Sequence, residues 1–209
     1  MNKILLTFLL NTVAFVFISY SQPKSIKDSA GQPEAVATFA QGCFWHTEMV
    51  FQNLVGVREA VSGYAGGSVL HPTYEEVSMG QTGHAESVQV YYNPKQISFK
   101  TLVEAYFASM DPTTLNRQGN DIGTQYRSIA FYSTEEEKKI IQEVIQQLSL
   151  SKKYSKPIVT ELVKLKVFYP AEKYHQEFIK NHPNHPYVKS VCYPEYLHFR
   201  QTFKGLFKD

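Results

Sequence analysis

Val36-Ala37-Thr38-Phe39-Ala40-Gln41-Gly42-Cys43-Phe44-Trp45-His46-Thr47-Glu48 is the stretch on which the reading of this chain turns. A short apolar run reads as a strand over 35–40. A glycine then hands the chain into a helix over 43–54, with Gly56 as its stop. Cys43 stands at that junction, and the only tryptophan follows it closely. A thiol at a helix N-terminus meets free backbone N–H groups and the positive end of the helix dipole, both of which favour the reactive thiolate. The placement predicts a nucleophile, although a lone cysteine also serves as a small packing residue.

Working outward, the pattern alternates. Residues 57–63 read as a strand that breaks at Gly66-Gly67, and 71–83 as a loop with room for one short strand. A strand over 86–92 ends at Asn93-Pro94. It is followed by an amphipathic helix over 98–110 with Ser98 as its N-cap. After a Gly- and Asn-rich loop at 116–124 come a strand at 125–132 and a helix from Ser133-Thr134 to about residue 150, acidic in its first turn. A strand over 158–168 and a helix from about Ala171 complete the series. Strands and helices interleaved over one core predict an α+β fold: a two-layer sandwich with a mixed central sheet and flanking helices.

The 209 residues suffice for one domain with a core that needs no disulfide staples. A net charge of +2 gives no ground for nucleic acid as a partner. The start of the chain has the grammar of export: Lys3, a mostly apolar run over 4–18, then Ser19-Tyr20-Ser21 as small residues for cleavage. The expected organisation is a signal peptide at 1–21, a polar linker at 22–34, and a catalytic domain with a C-terminal tail over 35–209. The protein is expected to be periplasmic or secreted, with an uncleaved membrane anchor as the alternative. A monomer is expected at this size. Cys43 and Cys192 form no dense framework, so they are either one long-range disulfide or a redox couple. No CxxC or HExxH string suggests a metal site.

Two further stretches carry chemistry. In Thr82-Gly83-His84-Ala85-Glu86, Glu86 is in phase with Val88, Val90 and Tyr92, so it points inward if the valines face the core. A buried carboxyl stays protonated near neutrality and can donate a proton; the alternative is a rim carboxylate that curls out to water. Arg117-Gln118-Gly119-Asn120-Asp121 shapes a loop that is expected to deliver Tyr126 at the start of a strand. With Tyr74, this offers two phenol donors.

Taken together, Gly42-Cys43-Phe44-Trp45 with Glu48, Gly63-Tyr64-Ala65-Gly66-Gly67, Pro72-Thr73-Tyr74, Thr82 to Glu86, and Gln118 to Asp121 through Tyr126-Arg127 resemble the peptide methionine sulfoxide reductase A family in order and spacing. Tyr174-His175-Gln176 looks like its later segment, and the likeness covers about residues 35–188. The resemblance implies a ferredoxin-like relative as the fold. It also implies thiol-dependent reduction of peptide-bound and free methionine S-sulfoxide, through a sulfenic acid on Cys43. Glu86 would be the acid, Tyr74 and Tyr126 donors to the sulfoxide oxygen, and Asp121 a loop residue acting through water or by orienting neighbours. Phe44 and Trp45 would form the pocket for the substrate methyl. No metal or organic cofactor is implied, only an external thiol such as thioredoxin or dithiothreitol. Oxidised proteins and peptides would be the substrates, and export would require a thioredoxin-like reductant on the same side of the membrane.

The departure is at the tail. Many relatives carry resolving cysteines shortly after a Pro-Tyr pair or in a Gly-rich tail. Here Val188 follows Pro186-Tyr187, and Cys192, in what reads as a small extended segment, is the remaining candidate for a resolving thiol. Simple packing of Cys192 is the other reading. Three rivals predict different behaviour: a thiol peroxidase, a Cys–His hydrolase using His46 or His84, and a non-catalytic module that binds oxidised methionine.

Overall fold

The computed structural model describes residues 34–208; the expected signal segment and nearly all of the expected linker lie outside them. The elements in chain order are β1 (Ala35–Ala40), α1 (Phe44–Gln52), β2 (Val57–Ala65), α2 (Tyr74–Ser78), β3 (Ala85–Tyr92), α3 (Phe99–Ala108) and a two-strand ribbon of β4 (Arg117–Gln118) and β5 (Asp121–Ile122). Next come β6 (Ile129–Tyr132), α4 (Glu135–Leu150), β7 (Glu161–Lys164), β8 (Phe168–Pro170), α5 (Phe178–Asn181) and α6 (Tyr193–Thr202). Among the described residues, six strands form one mixed sheet in the order β7-β6-β1-β3-β2-β8. Neighbours are antiparallel except for the parallel pair β6 and β7. This is the expected α+β architecture.

Alternation sets the two faces of the sheet. Phe39, Val88, Val90 and Ala130 face the large core, where Phe51 of α1, Leu54 just after it, Leu102 and Tyr106 of α3 and Ile141 of α4 meet them. Phe39 lies between the rings of Phe51 and Tyr106, with centroids 5.0 and 5.1 Å away. The opposite face carries small residues, Ala40, Ala65 and Ala85, with Ile129 and Phe131. Those small residues allow the sheet to curl, and the chain requires it. Lys164 and Phe168 lie on opposite edges, yet four residue steps span at most about 14 Å, whereas five flat strand spacings take about 24 Å. Leu165 and Phe168 pack onto the small-residue face as the chain crosses.

Several expectations are corrected. The strand expected over 158–168 is two strands, β7 and β8, on opposite edges. The loop expected over 71–83 contains α2, which Thr73 and Glu76 hold in a reciprocal capping box. Residues 125–132 form a 3-10 turn, Thr124–Tyr126, before β6 starts at Ile129. In place of a helix from Ala171 there are a 3-10 turn, Lys173–His175, and the short α5. The segment around Cys192 is a π-helical turn, Val188–Cys192, that leads into α6, and is not extended. Ser98 does cap α3, accepting the Thr101 N–H.

Candidate active site

The path from β1 into α1 is tightly built. Gly42 has φ +75°, and a Cβ there would lie 2.6 Å from Gln118 Cβ, so the turn runs against the β4–β5 ribbon. Cys43 is the N-cap residue of α1 and is partly accessible. Its side chain does not cap the helix. The free N–H of Phe44 instead donates to Glu86 Oε2 at 3.0 Å, so the buried carboxyl occupies a helix end that would otherwise lack a partner. The periodicity of β3 therefore placed Glu86 correctly: it is 2% exposed.

The electrostatics reverse one expectation. Burial, the Glu86 carboxyl and Cys192 hold the Cys43 thiol well above its ordinary pKa, and the Trp45 backbone N–H opposes them only in part. At rest Cys43 is therefore a thiol, because desolvation outweighs the helix end. Burial and nearby Asp121 also push Glu86 up to about 8, against the Phe44 hydrogen bond. Below that pH the site holds two exchangeable protons, on Glu86 and on Cys43.

Two phenols complete the polar side. Tyr74 opens α2, and its N–H donates to Glu172 Oε1 at 2.9 Å, while Tyr64 Oη donates to Glu172 Oε2 at 2.8 Å. Burial, Glu86 and Cys43 raise its phenol to about 12. Tyr126 stands in the 3-10 turn, where burial, Glu86, Tyr74, Asp121 and Cys43 keep its phenol protonated. The structure thus brings Cys43, Glu86, Tyr74, Tyr126 and Asp121 within electrostatic reach of one another. Asp121 accepts a hydrogen bond from Tyr187 Oη.

The aromatic side is built around Trp45. Its Nε1 donates to His175 Nδ1 at 3.1 Å, its ring lies on Phe178 at 3.6 Å and 4°, and Tyr187 meets it edge-on at 6.2 Å. Phe44, at 1% exposure, packs beneath Trp45 against the rings of His175, Tyr64 and Tyr74. Glu172, Phe178 and Tyr187 were not singled out from the sequence as site residues, because their contacts span more than a hundred positions or cross irregular turns.

Cys192 is buried beside Ile179 and Val188, and burial, Glu195 and Asp121 push its thiol up to about 12. Both cysteines are free. Neither histidine of the hydrolase alternative serves Cys43. His84 is held by the Gly67 N–H and the Val69 carbonyl. His46 is buried 3.8 Å from Glu195, and burial lowers its pKa to about 4.

The chain matches the model of the family described as peptide methionine sulfoxide reductase over residues 35–206. It is 48% identical over 170 residues to a peptide methionine sulfoxide reductase MsrA of Polynucleobacter asymbioticus, covering 81% of this chain and 90% of that one. Among solved structures it is similar to methionine sulfoxide reductase A of Corynebacterium diphtheriae, with a TM-score of 0.65 and 34% identity over 73% of this chain and 77% of that one. It is also similar to Mxr1 from Saccharomyces cerevisiae in reduced form, with a TM-score of 0.68 and 34% identity over 77% and 92%. With the family model matched over nearly all of the described residues and close to half of the positions identical to a relative that it covers almost end to end, the chain belongs to the peptide methionine sulfoxide reductase family.

Proposed function

We propose that this chain reduces methionine S-sulfoxide with Cys43 as the nucleophile and Glu86 as the acid. The observation that carries the assignment is the buried Glu86 carboxyl, bonded to the Phe44 N–H at the helix end beside Cys43 and protonated up to about pH 8. A sulfoxide sulfur resists attack until its oxygen is protonated or strongly hydrogen-bonded. A carboxyl with its pKa near the working pH, flanked by the Tyr74 and Tyr126 phenols, supplies both. Such acid catalysis contributes on the order of a hundredfold or more. Glu86 gives its proton to the sulfoxide oxygen while the Cys43 sulfur attacks, and it regains a proton from the thiol. The oxygen ends on Cys43 as sulfenic acid, the substrate sulfur gains two electrons and leaves as a thioether, and no net proton is consumed. Two external thiols then return Cys43 to the thiol, releasing water and a disulfide. Trp45 receives the methyl on one side while the phenols bind the oxygen on the other, which selects the S epimer.

The buried Cys192 thiol, at about 12, favours direct reduction of the sulfenic acid by an external thiol or dithiol protein. A second reading is favoured by the π-helical winding of Val188–Cys192, a turn of a kind common at functional sites: the turn opens and Cys192 forms a disulfide with Cys43. Lys3, the apolar run over 4–18 and Ser19-Tyr20-Ser21 support export, with an exported thioredoxin-like reductant. An N-terminus at residue 22 in protein recovered from cells would support export, and an intact Met1 would argue for retention.

Turnover of the separated S and R sulfoxides of a methionyl peptide, with dithiothreitol as reductant, tests the function. The wild type should act on the S epimer alone, and Cys43→Ser on neither. Inert sulfoxides with rapid consumption of hydrogen peroxide would establish a thiol peroxidase instead.

A further inference from the structure

Glu48 is a buried carboxyl, 5% exposed, that the chemistry at Cys43 does not use. Among the described residues no ion pair involves it. Both of its oxygens are committed elsewhere. Oε2 accepts from Ser62 Oγ on β2, and Oε1 accepts the backbone N–H of Glu177 at 2.6 Å. Glu177 has φ +51°, a left-handed turn that a non-glycine residue adopts only when its surroundings hold it. The preceding Gln176 is tied to the same strand position. Its Oε1 accepts the Ser62 N–H at 3.0 Å, and its Nε2 donates to the Ser62 and Ala171 carbonyls at 2.9 Å each.

Residues 175–178 are thereby clamped between α1 and β2, and this segment holds Trp45. His175 accepts the indole N–H, and Phe178 lies flat on the indole 3.6 Å away. Glu48 is one helical turn from Trp45 on α1, so the clamp runs from the helix through the strand and back to the ring three residues earlier. We propose that Glu48 is a positioning residue: it fixes the 175–178 segment, and through it the plane of Trp45, and so sets how firmly the substrate methyl is held. This rests on the reading that Trp45 receives that methyl. Burial pushes Glu48 up to about 7, while its hydrogen bonds from Ser62 and the Glu177 N–H pull the other way.

The test uses the single tryptophan as its own probe. Glu48→Ala should raise acrylamide quenching of Trp45 fluorescence and raise KM for a peptide S-sulfoxide about fivefold or more, with kcat within about twofold. Glu48→Gln keeps an acceptor for the Glu177 N–H and should match the wild type in both. If Glu48→Ala does not fold, Ser62→Ala, which removes one arm of the clamp, decides by the same two readouts. Wild-type quenching or wild-type KM in the folded variant overturns the proposal, as does a Glu48→Gln variant as impaired as Glu48→Ala. Trp45→Ala serves as the separate control. An unchanged KM there overturns the assignment of Trp45 as the methyl pocket, and the proposal with it. A raised KM there, beside a wild-type KM in Glu48→Ala, overturns the role of Glu48 alone.

Discussion

At the scale of single residues, the site works by keeping protons rather than by shedding them. Glu86 has a folded pKa of about 8 against an ordinary 4.5, so the native state holds a proton that the unfolded chain has released. The stability this group contributes is full below about pH 4.5 and is lost as the pH rises to about 8. Glu86→Gln removes that titration. It should therefore melt higher than the wild type at pH 8, by on the order of 5 °C, with little difference at pH 4.5, while losing activity at both. The single-turnover rate of the wild type should be flat up to about pH 8 and fall beyond it. A rate that climbs between pH 8 and 9, as a thiolate-limited enzyme would show, would refute the neutral-acid account. The trade is of a familiar kind, since a group tuned for chemistry costs stability at working pH.

At the scale of elements, the junction of β1 and α1 is the critical joint. Gly42→Ala would place a Cβ against Gln118 in a left-handed backbone conformation. It should cost more than about 1 kcal/mol and displace the ribbon that carries Asp121, which melting and single-turnover rates would register together. Unchanged values would show that the turn relaxes freely. Elements with a local signal were legible in the sequence: β1 by its apolar run, β3 by alternation, α3 by its amphipathic phase and Ser98 cap, and α4 by its Ser-Thr start and acidic first turn. Glu86 was legible for the same reason, since period two fixes which face a strand residue takes. What could not be read has non-local or very short causes. The five residues of α2 are too few for a period, although Thr73 and Glu76 spell its cap. The run over 158–168 has uniform strand character, and nothing local shows that it serves two edges. The protonation of Cys43 depends on burial and on Glu86, forty-odd positions away, whereas the helix end alone suggested the opposite.

At the scale of the whole molecule, the curl of the sheet and the C-terminal segment enclose the site. The tail straps back onto the loop after α1, with Val55 N–H donating to the Leu206 carbonyl at 3.0 Å and Lys208 N–H to the Asn53 carbonyl at 2.8 Å. It thereby holds α6 and the Val188–Cys192 turn against the core, with Tyr196 and Phe199 buried. Tyr187 reaches from this segment to Asp121, so the same closure that buries Cys192 completes the wall beside Trp45. The central claim is that oxygen passes from the substrate sulfur to Cys43. It is tested most directly by mixing reduced wild-type protein with a peptide S-sulfoxide in the absence of any reductant, then measuring methionine formed and the mass at each cysteine. The account predicts one equivalent of methionine from the S epimer, none from the R epimer, and one added oxygen on Cys43 with Cys192 still free. A Cys43–Cys192 disulfide would replace direct reduction with opening of the π-helical turn, and no methionine at all, or oxygen on neither cysteine, would contradict the account at its centre.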